Sequence, residues 1–413
     1  MKKILIISEY SVHNTIGGTE LYVDILINEL LEKNYEVVFI TKGKDSKVLF
    51  ENKVNKNGKY YDVYFLPNRK FLPEEIKQNI VSSTWPEIYK IICNKIFDII
   101  NIHTDTTFFN IRHIELLHFQ FKNIILTSHV SDNFCLKGDM ILFNSYPCDG
   151  KISIKCTFCY FSKGIFKGVS NVKHRYDLKI LKKINILNNL SIKIIATSEW
   201  QARQLILNGY NEKLITVIKQ FLDPDMLKKV DHFNVASNKL VIGFIGRLTK
   251  AKGAELLINI LKYFLKQKSS VSFVFAIPES NSSDLFYDQI KKIVELYPNR
   301  VKLLTNINID NKSDFYNLID VLLIPSFCLE TGPLVLLEAL ASDIKVLAPD
   351  AGGPLDFDQK YPGKILFYLW NNSFSVIKKL NELSLVNRFT NNTSTNSIEK
   401  NKFVNDHIKV FND

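Results

Sequence analysis

The segment Ser326 to Gly353, SFCLETGPLVLLEALASDIKVLAPDAGG, decides the fold. It follows the apolar run VLLIP (Val321 to Pro325), which reads as a short buried strand, and passes through a loop into an apolar helix opening near Gly332 and Pro333. Proline is tolerated at a helix start because the N–H it lacks has no partner within the helix there. A helix that begins at the carboxyl end of a parallel strand offers unpaired N–H donors and the positive end of its dipole. Such a helix start binds anions, and a diphosphate is the natural candidate. Glu330 stands before the helix and Glu338 inside it, with seven residues between them. A continuous helix would separate them by roughly 12 Å at its 1.5 Å rise, so the two carboxylates can flank a diphosphate, one toward each sugar.

Outward from that segment, short β-type runs alternate with helical patterns. The first half carries KILIIS, EVVFIT, DVYFL, DIINIH, NIILTS and KIIATS; the second carries KLVIGFIG, SFVFAI, VKLLT, VLLIP and IKVLAP. This is an α/β signature and predicts two Rossmann-like, doubly wound sheets. A chain of 413 residues also exceeds the size at which a single core keeps growing, and 46% apolar residues suffice for two cores. The polar stretch LDPDMLKKVDHFNVASN (Leu222 to Asn238) lacks an apolar period and marks the linker. The expected division is a domain over 1–225 with a Cys-rich insert at 130–165, a domain over 239–385, and a tail over 386–413. In the tail, FTNNTSTNSIEKN (Phe389 to Asn401) reads as loop and Phe403 to Phe411 as a last helix.

No apolar run reaches the eighteen or so residues that cross a bilayer, and KKILIIS, cut short by Glu9, is too short for a signal peptide. The expected location is the cytoplasm, with peripheral contact at the inner face of a membrane as an extension. The net charge of +11 invites a polyanionic partner, but a Lys-, Asn- and Ile-rich composition accounts for the total. No RNA-type aromatic motif or basic repeat accompanies it, so nucleic acid is not an expected partner. One cluster stands apart: Lys163, Lys167, Lys173, Arg175, Lys179, Lys182 and Lys183, interleaved with Leu178, Ile180, Leu181 and Ile184. It reads either as a basic amphipathic helix that rests on anionic lipid or as a solvated helix face.

Arg247 ends the GFIG strand and Lys252 follows before Gly253, which puts two cations at the carboxyl edge of that strand. Preorganised cations and N–H donors stabilise charge that grows on a leaving phosphate. Gly17 and Gly18 precede a helix with apolar positions Leu21, Ile25, Leu26 and Leu30, and glycine permits close approach of backbone to a ligand. The pair does not match the dinucleotide G-x-G-x-x-G pattern, and by itself reads as a turn. His129 ends the strand NIILTSH, and His103, ending the strand before it, competes for the same role.

The Glu330-x7-Glu338 spacing, GFIGRLTKAKGAELLI (Gly243 to Ile258) and the early KKILIISEY with IGGTELYVDILINEL together resemble the family 4 retaining glycosyltransferases of the GT-B fold. The resemblance spans most of the chain. It implies two Rossmann-like domains facing across a cleft, with acceptor choice by the first and the nucleotide-sugar, a UDP- or GDP-sugar, held by the second. It implies that Glu330 lies by the donor hexose and Glu338 holds the ribose, while Arg247 and Lys252 bind the diphosphate without a catalytic metal. It further implies donor contacts from Gly17, Gly18, Gly246, Thr331, Gly332, Leu334 and Val335, and places His129 beside the donor sugar as a hydrogen-bonding and charge-stabilising group. The common E-G-F-G pattern is replaced here by Glu330, Thr331, Gly332 and Pro333, which removes one backbone N–H. The implied activity is hexosyl transfer to a saccharide or lipid-linked acceptor in surface glycan synthesis. Rival readings keep the fold as an epimerase or phosphorylase, or reduce it to a non-catalytic module that binds nucleotide-sugar or polyanion.

Four of the six cysteines fall within 25 residues as C-x12-C-x7-C-x2-C: Cys135, Cys148, Cys156 and Cys159. In a cytosolic chain this reads as a metal site rather than disulfides. Four thiolates suit a closed structural zinc site, with an iron–sulfur centre as the other option. Cys328 reads as a small packing residue and Cys93 as helix core.

Overall fold

The computed structural model describes residues 1–12, 17–45, 47–55, 57–69, 80–93, 95–103, 106, 108–135, 137–161, 176–221, 240–267, 269–278, 285–305, 312–385 and 398–413. The linker expected over 222–238, the tail loop over 389–397, and Lys163, Lys167, Lys173 and Arg175 of the basic cluster lie outside the described residues. The chain forms two compact units, one of Met1–Phe221 with Ile398–Asp413 and one of Leu222–Ser397.

The first unit contains β1 (Lys3–Ser8), β2 (Glu36–Lys42), β3 (Leu49–Val54), β4 (Tyr60–Leu66), β5 (Ile99–His103), β6 (Ile124–Ser128), the hairpin β7 (Ile141–Leu142) and β8 (Tyr146–Pro147), then β9 (Lys193–Ala196) and β10 (Ile215–Val217). Eight of these form one sheet in the order β10-β9-β6-β5-β1-β2-β4-β3. Every neighbour is parallel except β3 against β4. Strands β5 and β6 are buried along their whole length, as parallel strands covered on both faces must be. The edge strand β3, LFENKV, has exposed or half-buried positions throughout and no continuous apolar run, which is why the sequence did not announce it. The register sets Ser8 beside His103 and His103 beside Thr127. The strand order reverses between β1 and β5, so this carboxyl edge is the position where doubly wound sheets take ligands.

The helix Gly18–Glu32 buries Leu21, Tyr22, Ile25, Leu26 and Leu30 at helical spacing. The last helix, Ile398–Asn412, buries Phe403, Val404, His407, Val410 and Phe411 in the same unit. Asn123 Nδ2 donates to the Phe411 carbonyl at 2.8 Å and Lys193 Nζ to the Val410 carbonyl at 3.1 Å. Both satisfy carbonyls that a helix end leaves without intrahelical donors. The described part of the basic cluster is the helix Tyr176–Asn189. It buries Ile180, Ile184, Leu187 and Lys183, while Leu178, Leu181 and Lys182 are exposed. Lys183 therefore does not belong to a solvent-facing basic stripe, because its position shares the face of the buried isoleucines.

The second unit contains β11 (Leu240–Ile245), β12 (Val271–Ala276), β13 (Val301–Leu304), β14 (Val321–Leu323), β15 (Lys345–Pro349) and β16 (Ile365–Tyr368). Its sheet runs β13-β12-β11-β14-β15-β16 and is parallel throughout. Renumbered from its own first strand this is 3-2-1-4-5-6, the doubly wound order whose crevice lies between strands 1 and 4. Here those strands are β11 and β14. The helix Ala254–Lys266 sets Leu257, Ile260, Leu261 and Phe264 into the core at 0% exposure. Each such side chain contributes about 1.5–3 kcal/mol of burial.

Candidate active site

In the second unit the loops after β11 and β14 converge. Gly246, with φ 140, directly follows β11 in a backbone conformation suited to glycine and is followed by the exposed Arg247. Lys252 and Gly253 then lead into the helix Ala254–Lys266. Gly253 has φ 79, and a Cβ there would lie 1.8 Å from the Pro325 carbonyl oxygen, so only glycine lets the two loops touch. The Phe327 and Cys328 N–H groups both donate to the Ala251 carbonyl, at 2.9 and 3.0 Å, which stitches the loops together.

That contact brings Lys252 to Glu330. Lys252 Nζ donates to Glu330 Oε2 at 2.7 Å, and Ser326 Oγ donates to Glu330 Oε1. Burial by itself lowers the Lys252 pKa, but the Glu330 carboxylate and Cys328 beside it outweigh this and hold the ammonium above its ordinary value. Lys252 keeps two N–H donors beyond the one given to Glu330. Glu330 is in turn held from behind. Gly353 N donates to the Glu330 carbonyl at 2.7 Å, and a Cβ on Gly353 would meet the Thr331 carbonyl oxygen at 2.0 Å.

The helix begins at Leu334, with Pro333 as its N-cap, and runs to Ala341. Thr331, Gly332 and Leu334 are buried and Val335 half-buried. Glu338 lies in this helix at 1% exposure, with Oε1 accepting from Lys312 Nζ at 2.5 Å and Oε2 from the Tyr316 hydroxyl at 2.8 Å. Burial and the adjoining carboxylate push the Tyr316 pKa well above its ordinary value. The two glutamates thus sit in separate hydrogen-bond networks. Sequence reading missed Ser326, Lys312, Tyr316 and the supporting Gly353: the last three act through contacts more than twenty positions away, and Ser326, four residues from Glu330, looks like any loop serine.

In the first unit Gly17 is the extended N-cap of the helix Gly18–Glu32, and both glycines are exposed. Tyr22, one turn further on, is 1% exposed, and its ring meets the His129 ring edge-on with centroids 4.7 Å apart. His129 follows β6 and is 4% exposed, and its Nε2 stands 2.8 Å from Nδ1 of His103 at the end of β5. The two competing histidines are thus one pair. Burial pushes the His129 pKa down to about 3 and that of His103 well below its ordinary value, so both are neutral near pH 7.

The cysteine insert also belongs to the first unit. Cys135 follows the short turn Ser131–Asn133, Cys148 follows β8, and Cys156 and Cys159 lie one turn apart on the helix Ile154–Phe161. Phe143 N points at Cys159 Sγ from 3.2 Å. Burial raises the pKa of Cys135, Cys148 and Cys156, opposed at each by backbone N–H groups, those of Met140 and Gly138 at Cys135, Gly150 at Cys148 and Ser153 at Cys156. Among the described residues no three His, Cys, Asp or Glu side chains are already arranged to hold a metal ion. Nor, among them, is any helix long and apolar enough to cross a membrane.

Two doubly wound sheets, parallel but for the edge strand β3, have the architecture of the GT-B glycosyltransferase fold. Residues 16–226 match the profile of Glycosyltransferase Family 4, and residues 227–372 that of Glycosyl transferases group 1. The chain belongs to glycosyltransferase family 4. No curated protein sequence matches it. Among solved structures it is similar to sucrose-phosphate synthase from Thermosynechococcus elongatus, with a TM-score of 0.66 and 15% identity, covering 100% of this chain and 94% of that one. It is similar also to HepE from Anabaena in complex with UDP and glucose, with a TM-score of 0.63 and 16% identity, covering 99% and 95%. A third is the catalytic domain of starch synthase IV from Arabidopsis thaliana bound to ADP and acarbose, with a TM-score of 0.61 and 14% identity, covering 100% and 98%.

Proposed function

We propose that this protein transfers a hexose from a nucleotide-sugar to an acceptor hydroxyl with retention of anomeric configuration, and that the second unit holds the donor. The observation that carries the reading is the contact of Lys252 with Glu330 where the loops after β11 and β14 meet. It puts a cation and a sugar-binding carboxylate where a doubly wound sheet takes a diphosphate. Arg247 and the two remaining N–H donors of Lys252 stabilise the charge that grows on the leaving diphosphate, and the reading calls on no catalytic metal for this. Glu330 positions the hexose hydroxyls. Each oxygen of Glu338 accepts one protein hydrogen bond and retains a lone pair, through which it meets the ribose. Gly246, Thr331, Gly332, Leu334 and Val335 complete the donor pocket.

The reaction breaks the anomeric C–O bond to the diphosphate and forms a new C–O bond on the same face. The acceptor proton passes to an oxygen of the departing phosphate, so no protein nucleophile is needed. Gly17, Gly18 and His129 serve this step from the first unit, with the neutral His129 as a hydrogen-bonding group rather than a general base. The first unit chooses the acceptor, a saccharide or lipid-linked intermediate of surface glycan synthesis. Exposed Leu178, Leu181 and Lys182 on the helix Tyr176–Asn189 support a peripheral contact with anionic lipid.

The four cysteines form a structural site that zinc closes when bound, holding the insert that follows His129. Four thiols in one small insert, each met by backbone N–H groups, suit the charge of coordinated thiolates.

The test is a panel of UDP-, GDP- and ADP-sugars, with and without EDTA, following release of nucleoside diphosphate by wild type and Glu330→Ala. The Anabaena complex holds UDP and glucose, so UDP-glucose is the first donor to try. Release from one donor, insensitive to EDTA and lost in the variant, supports the reading. Nucleotide binding without turnover on any acceptor favours a silent binding module, and a rearranged sugar as sole product favours an epimerase.

A further inference from the structure

The first sheet ends at β3, and among the described residues no strand pairs with its outer side. Where the β3–β4 hairpin turns, Asn55 N donates to the Lys59 carbonyl at 2.8 Å. Backbone groups alternate sides along an antiparallel strand, so Lys53, Glu51 and Leu49 also bond toward β4. The N–H and C=O groups of Phe50, Asn52 and Val54 then point outward. Such an edge is a template for another strand, and proteins either blunt it or pair it. Pairing with β4 runs in unbroken register from Leu49 to Val54, with no bulge to twist the edge away. Side chains alternate between the faces of the strand. One face carries Phe50 and Val54, each 52% exposed, with the exposed Asn52 between them; the other carries Leu49, Glu51 and Lys53.

This strand is complementary to itself. With a second copy set antiparallel about a two-fold axis at Asn52, Asn52 faces Asn52, Phe50 faces Val54 and Val54 faces Phe50. Every outward residue meets an outward residue, and each of these pairs exchanges two backbone hydrogen bonds. In the closer positions between them, Glu51 of each copy faces Lys53 of the other. Glu51 and Lys53 already form an ion pair along the strand, so the two copies set four charges in a square with opposite signs adjacent. The apolar pairs extend inward, because the Phe50 ring rests against that of Tyr64 on β4, with centroids 4.9 Å apart. A slip of one residue opposes outward groups to inward ones and forms no ladder. A slip of two sets Glu51 against Glu51 or Lys53 against Lys53, and like charges directly opposite are destabilising.

We propose that this protein forms a two-fold dimer through β3, which joins the two eight-stranded sheets into one. The matching of both charges and both apolar positions about Asn52 points to a second copy rather than a foreign strand. A two-fold contact uses the same patch on both chains and closes on itself, so it covers the edge without recruiting a third chain. One strand a side belongs to the class of interfaces below about 1,200 Å², so association is weak and depends on concentration. Strands β2 and β4 separate β3 from the β1–β5 switch point, so pairing leaves turnover per chain unchanged.

The experiment is sedimentation velocity on the full chain from about 1 to 100 μM, with hydrogen exchange read over residues 49–54 at both ends of that range. Wild type is expected to move from the 47.7 kDa monomer toward twice that mass. The amides of Phe50, Asn52 and Val54 should exchange more slowly at the higher concentration. Glu51→Lys and Lys53→Glu each put like charges opposite one another at both positions and should weaken the dimer about tenfold or more. An equimolar mixture of the two variants restores it, since lysine then faces glutamate at both positions, and the double variant Glu51→Lys/Lys53→Glu restores it alone. A monomer at every concentration overturns the proposal, whether the outward amides exchange freely or are already protected by another segment of the chain. A dimer indifferent to both charge reversals, or single variants that neither mixing nor the double reversal rescues, overturns it as well.

Discussion

Lys252 Nζ lies 2.7 Å from Glu330 Oε2, although 78 positions separate the two residues in the chain. The Lys252 side chain is 35% exposed and that of Glu330 14%, so solvent screens the pair and its share of stability is small. Its consequence is for the reaction. Glu330→Ala and Lys252→Ala are each expected to lower transfer by about 10²- to 10³-fold. A double-mutant cycle on kcat/KM should find the losses less than additive, because each residue orients the other. Unchanged turnover in either variant would remove that residue from the site.

Glu338 poses the opposite balance. Its side chain is 2% exposed and that of Lys312 16%, so removing one partner strands a charge out of water. Glu338→Ala is expected to cost about 3–5 kcal/mol of stability in urea unfolding, and Glu338→Gln less, since the amide still accepts from Tyr316. Near-wild-type stability in the alanine variant would show that water replaces the carboxylate.

Gly253→Ala would set a Cβ 1.8 Å from the Pro325 carbonyl oxygen at a φ of 79. The backbone conformation alone costs about 1–3 kcal/mol, and relief of the clash must part the two loops. The expected result is a lower Tm with weakened UDP binding by calorimetry. A variant that binds UDP as wild type does would show that the donor site tolerates parting of the loops.

The buried histidines set the acid limit of the first unit. In the folded chain the pKa is about 3 for His129, about 4 for His407 and well below the ordinary value for His103. In the unfolded chain each titrates near about 6.5. The unfolded state therefore binds more protons in acid, and stability, complete above that value, is lost as the pH falls from it toward the folded values. Each histidine adds a slope of about 1.4 kcal/mol per pH unit across that window. Urea unfolding followed from neutral pH into this window reads the effect, and His407→Leu should reduce the slope by about one histidine's share. A flat profile would mean that the histidines are not neutral and buried in solution.

Protein produced with ample zinc is expected to carry about one zinc per chain, and stripping it with a chelator should lower Tm and expose the four thiols of Cys135, Cys148, Cys156 and Cys159 to a thiol reagent. Absence of bound metal, together with fast modification of all four in the native protein, would leave the insert as a cluster of free thiols.

Local sequence carried the sheets and the cations after β11, because a buried parallel strand is a nearly continuous apolar run and Arg247, two residues past the strand's end, is visible in place. It could not carry the partners. Ser326 is only four residues from Glu330, but nothing in its identity distinguishes it from a loop serine. Lys312 and Tyr316 reach Glu338 from a five-residue helix with no apolar period to mark it. His103 and His129 looked like alternatives because each ends a strand, and only the pairing of β5 with β6 makes them a unit.

The hydrogen bond between Tyr22 and His407 closes over 385 positions of sequence. A ribosome adding about 5–20 residues each second needs on the order of tens of seconds to make that span. The core around Tyr22 therefore waits, unfinished, through synthesis of the whole second unit, and the last helix completes it from the far end of the chain. Nascent chains halted before Phe403 should accordingly hold a folded second unit beside a first unit whose histidine pair is still open to water.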